Sequence, residues 1–323
     1  MKRPAIILSI FFVLISVMAF SQDRLLTSQY YQNLPAHSPA FTGANDFLDI
    51  RLGYRSQWSG FEGSPTLAYL SGYTPINTID RSNKGVRSGK FFPGESTKLA
   101  AGGYVLTDQQ AAISQIEAMG NFAVHLRFSG NRFLSLGTSM GIYATSIDVE
   151  QLTARDAAND PTYQAYINGD GSSSFFNLNA SLGYYSDNLY FSYGMEQLTQ
   201  QMISGNALLE NEGNIKHQVL AGLKSKIGRR LELVSSVYYR NEKDLPAVVD
   251  LGVRARYKKI ISAGLSYRND NSVISMFGVT FGSLSFNYSY DYKPNNFNRF
   301  NQFSHEIVIG IKLLNNGNDD TIW

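Results

Sequence analysis

The chain has 323 residues, 43% hydrophobic and 17% charged, with no cysteine and a formal net charge of +2. Its charged share lies below the ~25% typical of soluble domains, and its length suits one large domain or two ordinary ones. This composition excludes a disordered chain, a disulfide scaffold and a cysteine-ligated zinc or iron–sulfur protein.

Residues 1–21 read as a signal peptide. Lys2 and Arg3 precede an apolar run from Ala5 to Met18, and Ala19-Phe20-Ser21 puts small residues at the −3 and −1 positions of a cut before Gln22. The run is short for a bilayer span, and without a cysteine no lipoprotein anchor can form. Leaving out Lys2 and Arg3 lowers the 28 basic residues to 26, equal to the 26 acidic ones. The mature chain is then neutral, and no nucleic-acid partner is expected. A secreted chain without cysteine fits a bacterial envelope. Residues 22–46 contain Pro35 and Pro39 and do not alternate. They form an expected non-strand segment, placed either in the lumen of a barrel, where it would limit solute passage, or in the periplasm.

From residue 47 onward apolar and polar residues alternate. Leu48, Ile50, Leu52 and Tyr54 share one face, with Asp49, Arg51 and Arg55 on the other. The same two-faced pattern recurs in 116–128, 174–186, 247–257 and 283–292, and successive strand side chains point to opposite faces. Fourteen strands are expected, near 47–57, 65–75, 97–106, 116–128, 133–147, 174–186, 188–197, 215–226, 230–241, 247–257, 260–269, 273–281, 283–292 and 303–313. Most are long enough for a tilted membrane strand of ~9–11 residues rather than the globular ~5–6. An even count suits a bacterial outer-membrane barrel, whose periplasmic turns are short and outer loops longer. The fold class is therefore an all-β transmembrane antiparallel barrel over 47–313, with a short tail at 314–323. A secreted β-sandwich or propeller is the soluble alternative. The regular polar faces of long strands oppose it, as do tyrosines crowding strand ends (Tyr54, Tyr104, Tyr143, Tyr184, Tyr185, Tyr190, Tyr257, Tyr267, Tyr292), where amphipathic rings meet the membrane boundary.

Connections 148–173, 198–214 and 293–302 are the prominent outer loops. One connection breaks the rule: 76–96 is long on the expected periplasmic side, so either it is a real periplasmic feature or the early strand count is shifted. Among the inward charges, Arg55 and Glu306 become neighbours when the first and last strands close, and a cross-seam pair is expected. Trp58 sits at the outer end of the first strand, as a belt residue, a wall residue or a partner anchor. In loop 293–302, Phe297, Arg299 and Phe300 stand among asparagines, a composition suited to partner contacts or to plain solvation. The only imidazoles are His37, His125, His217 and His305, and no catalytic constellation emerges. Asp148, Glu150, Asp156, Asp160 and Asp170 match no calcium-loop spacing. No enzyme activity, cofactor or metal is expected.

The sequence resembles the PorP/SprF family of type IX secretion outer-membrane proteins. The resemblance rests on Ser28-Gln29-Tyr30-Tyr31, Leu34 and Ser38-Pro39-Ala40-Phe41-Thr42-Gly43, with Ser38 standing where the family has Asn. It rests further on Tyr54-Arg55-Ser56-Gln57-Trp58 with Gly60 and Gly63-Ser64-Pro65-Thr66. Late in the chain it includes Leu265-Ser266-Tyr267-Arg268, Tyr288-Ser289-Tyr290-Asp291-Tyr292 and Ser304-His305-Glu306-Ile307. The resemblance implies a non-enzymatic protein in outer-membrane lipid. It would deliver or hold a secreted cargo, including gliding adhesins, through the cargo's C-terminal sorting domain, with or without other type IX components. Barrel physics alone leaves a porin-like channel or small-solute transporter as the alternative.

Overall fold

A computed structural model of the chain describes residues 27–59, 63–76, 79–80, 85–86, 97–129, 131–148, 151, 158–159, 163–164, 171–205, 214–243, 245–294 and 303–314. The strands in chain order are β1 (Leu48–Ser56), β2 (Thr66–Pro75), β3 (Ile79–Asp80), β4 (Gly85–Val86), β5 (Thr97–Gln110), β6 (Ile113–Ser129), β7 (Arg132–Ile147) and β8 (Ser172–Tyr185). They continue with β9 (Leu189–Gly205), β10 (Lys216–Ile227), β11 (Leu231–Asn241), β12 (Val248–Tyr257), β13 (Ile261–Arg268), β14 (Val273–Phe281), β15 (Leu284–Tyr292) and β16 (Phe303–Leu313). All but β3 and β4 join into one closed antiparallel barrel of fourteen strands.

Closure is made by β1 and β16, paired from Leu48↔Leu313 to Ser56↔His305. Closure removes the unpaired edges that an open sheet would present. Exposure alternates along the wall: Leu265 is 61% exposed, whereas the adjacent Ser266 is 3% exposed. Leu52, Leu70, Phe122, Leu136, Leu182 and Leu251 likewise face out, while Asn121, Asn177, Asn179, Ser181 and Ser289 are buried inside. Such an apolar exterior around a polar interior is what lipid selects in a spanning barrel.

Residues 76–96 join β2 to β5 on the same rim as the short turns at 186–188, 228–230 and 258–260, and they carry the small β3–β4 ladder. The long connection therefore belongs to the short-turn rim, and the strand count is not shifted. At the opposite rim β5 and β6 rise to a two-residue turn at Ala111 and Ala112, beyond the expected ends at 106 and 116. Thr107, Asp108, Gln109 and Gln110 are polar there, so an apolar face could not reveal that height. Strand β9 runs on to Gly205 instead of ending at 197. Its register with β8 shifts between Leu178 and Ala180, and Gln197 takes a φ of 59°. This β-bulge breaks the period of two, and Asn179 Oδ1 accepts the Gln197 N–H at 2.8 Å.

Inside the wall lies the N-terminal segment. It forms a 3-10 turn at Tyr30–Asn33, one helical turn at Leu34–His37 and a second 3-10 turn at Pro39–Phe41. Tyr30, Tyr31, Leu34, Phe41 and Ala44 pack with the inward residues Tyr185, Tyr190, Leu220, Val234, Tyr238, Ile274 and Met276 in one apolar cluster. Tyr30 stacks on Tyr238 at 5.0 Å between ring centroids, and Phe41 meets Tyr190 edge-on at 5.7 Å. Fully burying a side chain such as Leu34 or Phe41 contributes about 1.5–3 kcal/mol. Tyr104, Tyr185 and Tyr190 are thus buried inward rather than set in a membrane belt. Tyr54, Tyr257, Tyr267 and Tyr292 are half-exposed on the outer face, as a belt requires. At Gly137 the plug lies so near the wall that an added Cβ would overlap Pro39 and Ala40.

Candidate functional site in the barrel lumen

An irregular segment buried in a barrel must have its backbone groups satisfied within itself or by the wall, and here turns such as Ser38 N–H to the Leu34 carbonyl supply part of them. Asn121 Nδ2 donates to the Pro35 carbonyl at 2.8 Å, and Gln218 Nε2 donates to that of His37. Lys98 Nζ donates to the Ala44 carbonyl at 2.8 Å and to Asp46 at 2.9 Å. The Ala40 N–H is accepted by Ser181 Oγ at 2.7 Å. His125 Nε2 lies 2.8 Å from the Thr42 carbonyl, which can only accept. That contact assigns a proton to Nε2, and Nδ1 lies 2.8 Å from the Tyr185 hydroxyl. The inward histidine therefore serves as a strut between wall and plug.

The densest cluster lies at the β1–β16 seam. Glu306 accepts the Ser28 N–H at 2.6 Å and the Gln29 N–H at 3.2 Å. Arg55, directly opposite Glu306 in the ladder, places Nη1 3.4 Å from that carboxylate and 2.7 Å from Ser28 Oγ. Its Nη2 pairs with Asp291 at 2.7 Å, and Ser28 Oγ donates to the same carboxylate at 2.5 Å. Arg268 reaches Ser28 Oγ at 3.5 Å and pairs with Asp250 at 3.2 Å. Ser266 also donates to Asp250. Arg55, Arg268, Asp250, Asp291 and Glu306 are each at most 5% exposed, so this latch works where water screens little.

Among the described residues, two cavities flank the plug. One, of about 260 Å³, lies toward the short-turn rim and is lined by Arg51, Arg254, Arg256, Lys259 and Lys312 around Asp49. The other, of about 120 Å³, lies toward the long-loop rim beside Asp108, Glu117, Glu196, Lys216 and Arg240. His37 borders the second. Burial lowers its pKa to about 4, Glu196 opposing and Arg240 reinforcing that shift.

The chain matches the family described as type IX secretion system membrane protein PorP/SprF over residues 19–311. It belongs to the PorP/SprF family. No curated protein matches it. Among solved structures, the toluene transporter TbuX of Ralstonia pickettii has 8% identity and a TM-score of 0.52, covering 86% of this chain and 92% of its own. The toluene transporter TodX of P. putida has 12% identity and a TM-score of 0.45, covering 85% and 92%. At these identities the TbuX likeness shows the fold and nothing finer. Fold and family together place this PorP/SprF protein in the outer membrane.

The quoted motif residues meet in space. Ser28 and Gln29 from the opening, Arg55 from the first strand, and Ser266, Arg268, Asp291 and Glu306 from the late strands build the latch. Arg55 and Glu306 were singled out in the sequence by their seam positions. Asp250, Asp291, Arg268 and Ser28 were not, although the last three stand in the family motifs. Trp58 sits at the long-loop rim, half-buried, with a φ of 54° and its N–H 3.4 Å from Ser304 Oγ. Trp58 makes none of the latch contacts, although Ser304 is the ladder partner of Asp291. Phe297, Arg299 and Phe300 lie outside the described residues, as do most of loops 148–173 and 293–302 and residues 206–213 of loop 198–214.

Proposed function

We propose that this PorP/SprF protein is a non-enzymatic outer-membrane adaptor. It docks a secreted surface protein, through that cargo's C-terminal sorting domain, on loops 148–173, 198–214 and 293–302. Trp58, Phe297, Arg299 and Phe300 are the contact residues of this reading. The observation that carries it is the plug: a lumen filled by the chain's own backbone leaves the loops of a rigid scaffold as the accessible binding elements. Plug and wall are joined by charge-assisted bonds, which suit a fixed support better than a gate. Cross-linking in native membranes tests the proposal. The full protein should capture a large surface protein bearing a type IX sorting domain. A variant with 293–302 replaced by a short Gly/Ser link should fold and lose that capture. Undiminished capture by all three loop-replaced variants would end this reading.

A small-solute transporter is the second reading, favoured by the two cavities that flank the plug. Their arginine, lysine and carboxylate linings suit a polar solute rather than an aromatic hydrocarbon. Solute uptake into proteoliposomes separates the two readings.

A further inference from the structure

The cavity facing the short-turn rim contains donors that the fold leaves unanswered. Arg254 is 5% exposed, and its Nε and Nη2 are buried without a hydrogen-bond acceptor. Its guanidinium carbon lies over the Tyr31 ring, 3.4 Å from the centroid, so a plug side chain packs against it. Asn287 is 6% exposed and lines the same cavity, with Nδ2 also lacking an acceptor. The nearby acids are engaged elsewhere: Asp49 binds Arg51 at 2.6 Å, Glu232 pairs with Arg256 at 3.5 Å, and Asp250 pairs with Arg268. A buried donor without a partner carries the desolvation penalty of its group, and a larger one when charged. Such a group invites an acceptor from outside.

The surroundings set the acceptor's charge. Arg51, Arg256, Lys259 and Lys312 complete a lining with five cations against the single carboxylate of Asp49. Just outside, the neighbouring turns at 228–230 and 258–260 add Arg229, Arg230 and Lys258 to the rim. Approach from the periplasmic side thus runs down a positive field, which concentrates anions in a cleft with low-dielectric walls. Lipid phosphates lie outside the wall and cannot reach Arg254.

We propose that this cavity is an oxyanion site filled from the periplasm. Arg254 supplies two parallel N–H donors in the fork geometry that fits carboxylate or phosphate. Asn287 adds a third donor, and Lys259 and Lys312 supply field. The oxyanion is either a free small dianion or an acidic side chain of a periplasmic polypeptide. This inference rests on the cavity alone and is independent of cargo docking at the opposite rim.

Calorimetric titration of the full protein in detergent tests it, with inorganic phosphate in one arm. A synthetic Asp/Glu-rich peptide and its Asn/Gln counterpart form the other. The wild type should bind phosphate or the acidic peptide but not the neutral peptide, and the tighter arm identifies the source. Arg254→Gln should weaken binding at least about tenfold, the usual effect of losing a charged bidentate partner. Asn287→Ala keeps every charge and should weaken it several-fold, which covers the case of an unfolded Arg254 variant. Unchanged binding in folded Arg254→Gln would assign the anion to the rim lysines and overturn the proposal. So would the absence of binding to the wild type in both arms.

Discussion

Arg55→Gln is the sharpest perturbation of the latch. Arg55 is 3% exposed and bridges Ser28 Oγ, Asp291 and Glu306 at 2.7, 2.7 and 3.4 Å. The latch holds two cations, Arg55 and Arg268, against three carboxylates, Asp250, Asp291 and Glu306. Removing Arg55 leaves one cation against three and strands Asp291 beside Ser28. Breaking a buried pair from one side costs about 3–5 kcal/mol. Of the three lost contacts, those to Asp291 and Glu306 join wall strands and the one to Ser28 Oγ joins wall to plug, a charge-assisted bond worth about 1.5–3 kcal/mol. The fraction of molecules with a released plug should then rise by roughly one to two powers of ten. Hydrogen exchange read by mass spectrometry on residues 27–47 measures it: the Ser28 and Gln29 amides should exchange faster, while the rest of the penalty falls on the β1–β16 seam. Adding Asp291→Asn restores the wild-type charge balance and should recover about 1–3 kcal/mol of protection. Unchanged exchange in Arg55→Gln, or no recovery in the double variant, would refute the idea that this cluster fastens the plug.

Gly137→Val should displace Pro39 and Ala40 from the wall, with an overpacking cost of about 1–3 kcal/mol, visible as faster exchange at residues 39–42 and a lower melting temperature. His37 is half-buried between Glu196, Arg240 and the Tyr238 ring, and its pKa falls from 6.5 to about 4 because burial disfavours the cation. A group lowered in the folded state binds fewer protons there than when unfolded. Its stabilising effect is full above pH ~6.5 and is lost as pH falls toward 4. Plug protection should therefore decline over that window, and His37→Gln should flatten this part of the profile; an identical profile in the variant contradicts the assignment.

Much of the wall was legible because a spanning strand must alternate. Leu52 and Tyr54 face out while Arg51 and Arg55 face in, and that period gave all fourteen barrel strands and the seam neighbours Arg55 and Glu306. Boundaries slipped where the period had nothing to display: at the polar tip of the β5–β6 hairpin and at the Gln197 bulge, which resets the phase. The lumenal segment itself was one of two readings, because short 3-10 turns have no usable period. A signal for it exists in β14. Val273 and Phe277 are exposed to the outside, yet Ile274 and Met276 are buried inside. A strand that is apolar on both faces, in a barrel that ought to be wet, announces an apolar occupant. The part of Asp250 and Arg268 in the latch was not legible because it depends on where the plug sets Ser28, which Arg268 reaches.

Steady ion conductance of the purified barrel in a planar bilayer tests most directly whether the plug closes the lumen. The wild-type protein should be nearly silent, and deletion of residues 27–47 should open a stable conductance in a barrel that still migrates as folded. A large constant conductance from the wild type, unchanged by the deletion, would contradict the plug and turn the reading toward a channel.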